Sequence, residues 1–185
     1  MREMAVWEIR PGDMLDRPVL VAADKQDVRD RVFVTDGRAK DWAHRPPVEL
    51  FNRATKKRQR ERADVMPFMA GAFVLNDKAR AAIGGFFSRF GELLELHHGG
   101  EILYFFNCTN LIDCLDEGRT QRGEEAILIL EAIDESKIPT EPAVFKDPKT
   151  ARVRNYVNDA GKEVIEQWAR EAGITGLEIV PLDPI

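Results

Sequence analysis

Only two cysteines, Cys108 and Cys114, occur among the 185 residues. A framework of several disulfides is therefore excluded, and a reducing cytoplasm is the compartment that the composition predicts. The longest apolar run spans residues 66–75, far short of the roughly 18 residues that suggest a membrane span. The first ten residues are charged and lack the longer apolar region of a signal peptide, so we expect no secretory signal.

Sequence motifs of the common enzyme classes are absent as well. The chain has no glycine-rich phosphate loop, no nucleophile elbow and no metalloprotease helix. His97, His98, Cys108 and Cys114 fall within 18 residues. However, adjacent side chains on a strand point to opposite faces, and the two cysteines are too widely spaced for the usual zinc ligand pair. We therefore predict that the protein holds no metal and no other cofactor.

Two helices stand out among the patterns that are present. The first follows Asn76, a favourable N-cap, and Gly91 is predicted to end it in a left-handed conformation. The second begins at residue 159 or 160, carries Trp168 on its apolar face and ends at Gly173. This apolar face predicts that Trp168 belongs to the core.

Short strand patterns fill most of the remaining chain. A hairpin is predicted with its turn at residues 98–100, and the apolar run of residues 125–133 is interpreted as a central strand buried on both faces. A weaker helical pattern follows Pro47 and leads into the basic run of residues 56–62. The other strands are predicted at residues 5–9, 31–35, 73–75, 143–145, 153–157 and 176–180.

The strands and helices follow no regular alternation, which makes α+β the predicted fold class. The expected architecture is a mixed, mainly antiparallel sheet with two principal helices packed on it. The length fits a single domain over residues 1–185. Within it, residues 1–63 form an N-terminal β and helical portion, and residues 64–185 form the larger remainder.

The net charge of −5 is unevenly distributed along the chain. Residues 1–63 carry 15 lysines and arginines against 11 acidic residues, whereas residues 64–185 carry 12 against 21. An acidic protein repels phosphates, so nucleic acid is not an expected partner, and the basic run of residues 56–62 is interpreted as a solvated helix face. The excess of −9 in the larger portion favours a basic partner.

A carboxylate cluster follows the apolar residues around Cys108. Asp113, Asp116 and Glu117 lie close together in sequence, and Glu124 and Glu125 precede the run of residues 125–133. Paired carboxylates divide acid and base roles when burial raises one pKa. They also cap turns or form a solvated acidic face, and this structural interpretation is the favoured one.

Seven short motifs occur in a characteristic order from Asp64 onward. They are DVM (64–66), AFVLNDKAR (72–80), EILYFFN (101–107), LIDCLD (111–116), AVFK (143–146), YVND (156–159) and GITGLEIV (173–180). This order resembles the myxococcal-type immunity proteins of bacterial polymorphic toxin systems, over roughly residues 64–182. Asp116 and the GITGL segment match best, whereas Asn76 and Asn158 stand where serine is expected.

The resemblance implies a cytoplasmic protein, not an enzyme, that binds and neutralises a cognate toxin or secreted effector. It implies no catalytic residue. Asp113, Asp116, Glu117, Glu124 and Glu125 are the candidate partner-binding residues, facing a basic toxin surface. One alternative is a small cytoplasmic enzyme that uses Asp113, Asp116 and Glu117. Another is a regulatory or scaffolding domain that pairs with itself, and a homodimer is left open.

Overall fold

The computed structural model describes residues 5–12, 17–29, 31–51, 61–123 and 128–182. Twelve strands and four α-helices occur in these ranges, together with one π-helical turn and one 3₁₀ turn. The strands are β1 (Val6–Pro11), β2 (Val19–Ala22), β3 (Val48–Phe51), β4 (Val65–Pro67), β5 (Phe73–Leu75), β6 (Gly91–His98), β7 (Glu101–Cys108), β8 (Gln121–Arg122), β9 (Leu128–Leu130), β10 (Val144–Phe145), β11 (Tyr156–Asn158) and β12 (Leu177–Pro181). The helices are α1 (Lys25–Arg29), α2 (Asp77–Ala79), the π-helical turn Arg80–Gly84, α3 (Gly85–Phe87), the 3₁₀ turn Glu135–Lys137 and α4 (Asp159–Glu171).

Two four-stranded sheets carry most of the fold. Their strand orders are β10–β11–β1–β12 and β4–β5–β7–β6, and every strand pairing within them is antiparallel. Two smaller pairs, β2–β3 and β8–β9, complete the described strands. The predicted α+β class is confirmed, and eight of the twelve strands form two main sheets where one sheet was expected. Strand β1, from the N-terminal portion, lies between β11 and β12 from the C-terminal portion.

Strand β7 is the central element of the β4–β5–β7–β6 sheet. Its alternate side chains enter two different cores, with Phe106 on one face and Phe105 on the other. The first core lies between the two sheets and includes Ile9 of β1 and Ile165 of α4. The second core lies on the opposite face and receives Phe33 from the N-terminal portion. Strand β7 is therefore buried on both faces.

The two principal helical regions begin as predicted. The Asn76 side chain accepts a hydrogen bond from the backbone N–H of Ala79 at 2.9 Å, and Asn158 caps α4 through the N–H of Gly161 at 2.9 Å. The first region continues from α2 through the π-helical turn into α3. Gly173, at φ 59°, follows α4 in the left-handed conformation that commonly ends a helix.

Two predictions for the N-terminal portion are wrong. Residues 31–35 form a turn and loop, since Arg31 has φ 61° and a left-handed residue does not continue a strand. After Pro47 the chain forms strand β3, which pairs with β2, instead of a helix. Residues 52–60 lie outside the described residues, so most of the basic run of residues 56–62 does too.

Three further expectations are corrected within the C-terminal portion. Gly91 starts β6 opposite Cys108, and a side chain there would collide with the carbonyl of Asn107. Of the predicted central strand at 125–133, residues 125–127 lie outside the described residues, and residues 128–130 form the short β9, which pairs with β8. Trp168 is 39% exposed and packs edge-on against Phe86. None of the described helices is both long and apolar enough to span a bilayer.

Removing the ring of Phe86 should destabilise the fold. This side chain is 2% exposed and belongs to the core between the sheets, so Phe86→Ala is expected to lower the unfolding free energy by about 3–5 kcal/mol. The matched control is Gly85→Ala, because a Cβ at this helical position meets nothing within 4 Å. That control should raise stability by up to about 1 kcal/mol. Equal urea midpoints for the wild type and Phe86→Ala would contradict the placement of this helix.

Candidate functional site

Asp113 and Asp116 form close ion pairs at the surface. Asp113 contacts the Nζ atom of Lys149 at 2.7 Å, and Asp116 contacts the Nε atom of Arg119 at 2.7 Å. Asp116 also accepts hydrogen bonds from the backbone N–H groups of Gly118 and Arg119, so it caps this turn. The hydrogen bond from Lys149 lowers the pKa of Asp113, and the one from Arg119 lowers the pKa of Asp116. Both carboxylates are therefore held in the ionised form.

Glu117 completes this cluster and is paired as well. Its Oε1 atom lies 3.4 Å from Nζ of Lys149 and 3.5 Å from a guanidinium nitrogen of Arg122. The predicted carboxylates Asp113, Asp116 and Glu117 are thus accompanied by three cations. Glu124 and Glu125 lie outside the described residues. Partner binding by these five acidic residues stays a prediction.

Lys149 belongs to a loop, residues 146–155, that buried polar groups attach to the rest of the protein. We call this segment the anchored loop. At its start, Lys146 is completely buried and donates to the backbone carbonyls of Gly71 at 2.8 Å and Ala151 at 2.5 Å. Burial lowers the pKa of Lys146 to about 8. The ammonium group therefore joins the loop to the segment between β4 and β5.

The next two buried contacts fix the first half of the anchored loop. The carboxylate of Asp147 accepts hydrogen bonds from the backbone N–H groups of Cys114 at 2.8 Å and Leu115 at 2.9 Å. The hydroxyl groups of Thr150 and Tyr156 lie 2.8 Å apart. These contacts connect the loop to the segment that carries Asp113 and to strand β11.

Arg154 fixes the second half through a buried ionic network. Its guanidinium group pairs with Glu8 on β1 and with Glu131, whose Oε1 atom is 2.6 Å from Nε. Tyr156 donates a hydrogen bond to the other oxygen of Glu131 at 2.9 Å. Burial raises the pKa of Glu131, while Arg154 opposes this shift. Asn155 adds a hydrogen bond to the carbonyl of Gly71 at 3.0 Å.

Arg152 and Val153, between these fixed points, point outward. Val153 is 51% exposed and lies between two hollows, one of about 500 Å³ and one of about 360 Å³. The larger hollow is also lined by Arg38 and Leu111, and the smaller one by Phe68 of the β4–β5 connection. The anchored loop thus exposes the apolar side chain of Val153, while buried polar contacts fix the backbone of the loop.

The cysteines and histidines do not meet at a metal site. Over the described ranges, no group of three or more histidine, cysteine, aspartate or glutamate side chains is arranged to hold a metal ion. Cys108 and Cys114 are buried free thiols, and burial raises their pKa values to about 11 and 12. The ring of His98 hydrogen-bonds through Nδ1 to the carbonyl of Val48.

No family model matches the sequence, and no curated protein matches it either.

Sequence reasoning did not single out the anchored loop. Lysine is almost never fully buried, so nothing in the sequence distinguishes Lys146 from the surface lysines near it. The pairing of Lys149 with Asp113 joins residues 36 positions apart. One signal was present: residues 146–155 contain four cations and the single acid Asp147 in the acidic portion of the chain.

The buried ammonium of Lys146 should give stability a defined pH dependence. Its folded pKa of about 8 lies below its ordinary value of 10.5, so the unfolded chain binds more protons between these pH values. Stability then rises with pH through this window. Relative to Lys146→Met, the wild type should gain up to about 3 kcal/mol of unfolding free energy from pH 7.5 to 10.5.

Urea denaturation at both pH values measures this difference. Both proteins keep Cys108 and Cys114, whose titration opposes the rise in each of them, although the charge of Lys146 also lowers the pKa of Cys108 in the wild type. The control is Lys149→Met, because the hydrogen bond to Asp113 raises the pKa of Lys149. Its removal should not reproduce the effect, and parallel pH profiles for the wild type and Lys146→Met would contradict a buried charged lysine.

Proposed function

We propose that this protein is an immunity protein, which binds a cognate bacterial toxin or secreted effector and neutralises it by direct protein–protein contact. The observation that carries the proposal is the anchored loop, which displays Val153 between two hollows. A backbone fixed by Lys146, Asp147 and Arg154 loses little conformational entropy on binding. The resemblance of residues 64–182 to myxococcal-type immunity proteins supports the same function.

The carboxylate cluster gives less support to the alternative of a small cytoplasmic enzyme. A general acid at neutral pH requires a raised pKa. Asp113 and Asp116 have lowered pKa values. Each carboxylate is held in an ion pair, Asp113 with Lys149 and Asp116 with Arg119. This geometry favours a role in holding the turn and the anchored loop together.

The proposed place of action is the cytoplasm of the cell that makes the toxin, because an immunity protein protects its producer. The resemblance implies that the toxin gene lies beside this one. The proposed partner is this toxin, a protein. Neither a nucleic acid nor a membrane surface is proposed as a partner.

Co-expression with the neighbouring toxin gene tests this function. Wild-type protein should restore growth and co-purify with the toxin. In the triple variant Asp113→Asn, Asp116→Asn and Glu117→Gln, protection should fall only as far as toxin binding falls, because the proposed mechanism needs no general acid or base from these groups. Its melting temperature provides the control for loss of the ion pairs.

Two results would contradict the proposal. Wild-type protein that neither binds the neighbouring toxin nor restores growth would exclude the immunity function. Protection that is lost in a folded triple variant that still binds the toxin would support the enzymatic alternative.

A further inference from the structure

Four exposed residues that take no part in the ion pairs of Asp113, Asp116 and Glu117 form a second surface. We call Arg38, Leu111, Arg152 and Val153 the Val153 face, since all four line the hollow of about 500 Å³. Leu111 is 42% exposed although it is a large apolar side chain. It packs directly against Gly37, which has φ 82° and no space for a side chain. Leu111 and Val153 are therefore apolar groups held at the surface.

The lining of this hollow has a small excess of positive charge, although the whole chain carries −5. It contains Arg38, Lys149 and Arg152 and one acid, Asp36, and Lys149 is neutralised by its pairs with Asp113 and Glu117. The Arg38 side chain is 86% exposed, and its Nε atom is 3.9 Å from Asp36, a loose contact. Arg152 is exposed and has no ion pair with any of the residues described.

We infer that the Val153 face binds an acidic patch on the surface of the toxin, and that this patch has an apolar side chain at its centre. This inference rests on the proposed function. Apolar contact with Leu111 and Val153 would exclude water from the adjacent guanidinium groups, and pairs between arginine and carboxylate strengthen when water is excluded. Arg38 and Arg152 are therefore expected to pair with carboxylates of the toxin.

The acidic balance of residues 64–185 does not oppose this contact. Net charge acts over the whole surface and is screened beyond about 8 Å at physiological salt. Contact energy, in contrast, depends on the groups that meet. Beside this face, Lys149 already pairs with Asp113 and Glu117. The cations of the hollow that remain for a partner are Arg38, which has only its loose contact with Asp36, and Arg152.

Charge reversal tests the inference with the toxic domain of the neighbouring gene product as the probe. The test variant is Arg38→Glu with Arg152→Glu. The matched control is Lys25→Glu with Arg170→Glu, which changes the net charge equally at exposed cations of α1 and α4. Association and dissociation rates are measured at roughly 50 and 500 mM salt.

The test variant should bind about 100-fold more weakly, with most of the change in the dissociation rate. The control should remain within about threefold of the wild type. Val153→Ser, which leaves every charge in place, should also weaken binding. The milder pair Arg38→Gln and Arg152→Gln replaces the test variant if its melting temperature shows that it does not fold.

Three outcomes overturn the inference. Unchanged binding in the folded test variant would exclude the Val153 face as the contact. Tighter binding in that variant, with weaker binding in Glu124→Lys, Glu125→Lys, would show that the toxin surface is basic. In both cases the wild type still binds, so the immunity function stands. Absence of binding by the wild type would overturn the proposed function and the inference together.

Discussion

The buried ammonium group of Lys146 is the interaction on which the candidate site depends. None of the carboxylates in the described part of the chain contacts this charge directly, and backbone carbonyls of Gly71 and Ala151 replace its water. Such a group is costly to bury unless its hydrogen bonds are made. The anchored loop and the connection between β4 and β5 must therefore adopt one arrangement relative to each other. The ionic network of Arg154 with Glu8 and Glu131 imposes a second constraint from strand β1.

These constraints distinguish Val153 from an ordinary exposed valine. Single apolar side chains are common on protein surfaces and usually carry no meaning. Val153 differs because the loop that displays it is fixed at Lys146, Asp147, Thr150 and Arg154, while its outward side remains uncovered by the described residues. A loop with this many buried polar contacts resembles a prepared binding surface more closely than a simple connection.

Local signals in the sequence were sufficient for part of the fold. Asn76 and Asn158 precede helices that they cap, and paired glycines mark the hairpin between β6 and β7, because these preferences act over a few residues. Gly91 shows the limit of local reasoning. A glycine after a helical pattern commonly ends it in a left-handed conformation, but here close contact with the backbone of Asn107 at the far end of the hairpin determines its role.

The candidate site was less predictable for the same reason. The sequence located Asp113, Asp116 and Glu117 as a cluster, and turn capping, one of the structural roles expected of these carboxylates, is the role that Asp116 has. However, Lys149 of the anchored loop pairs with Asp113 and Glu117, and its charge partly neutralises the acidic cluster. The contacts of Lys146 likewise join residues 75 positions apart. Neither relation is visible before the two segments are brought together by the sheets.

Hydrogen exchange of backbone amides measures most directly whether the anchored loop is fixed in the free protein. Thr150, Val153 and Arg154 donate their N–H groups within the loop to Asp147 or Thr150. The account predicts that these amides exchange much more slowly than those of Gly99 and Gly100 in the exposed hairpin turn, before any partner is added. Exchange as fast as in that turn would show that the loop opens freely, and would contradict a binding surface prepared by Lys146.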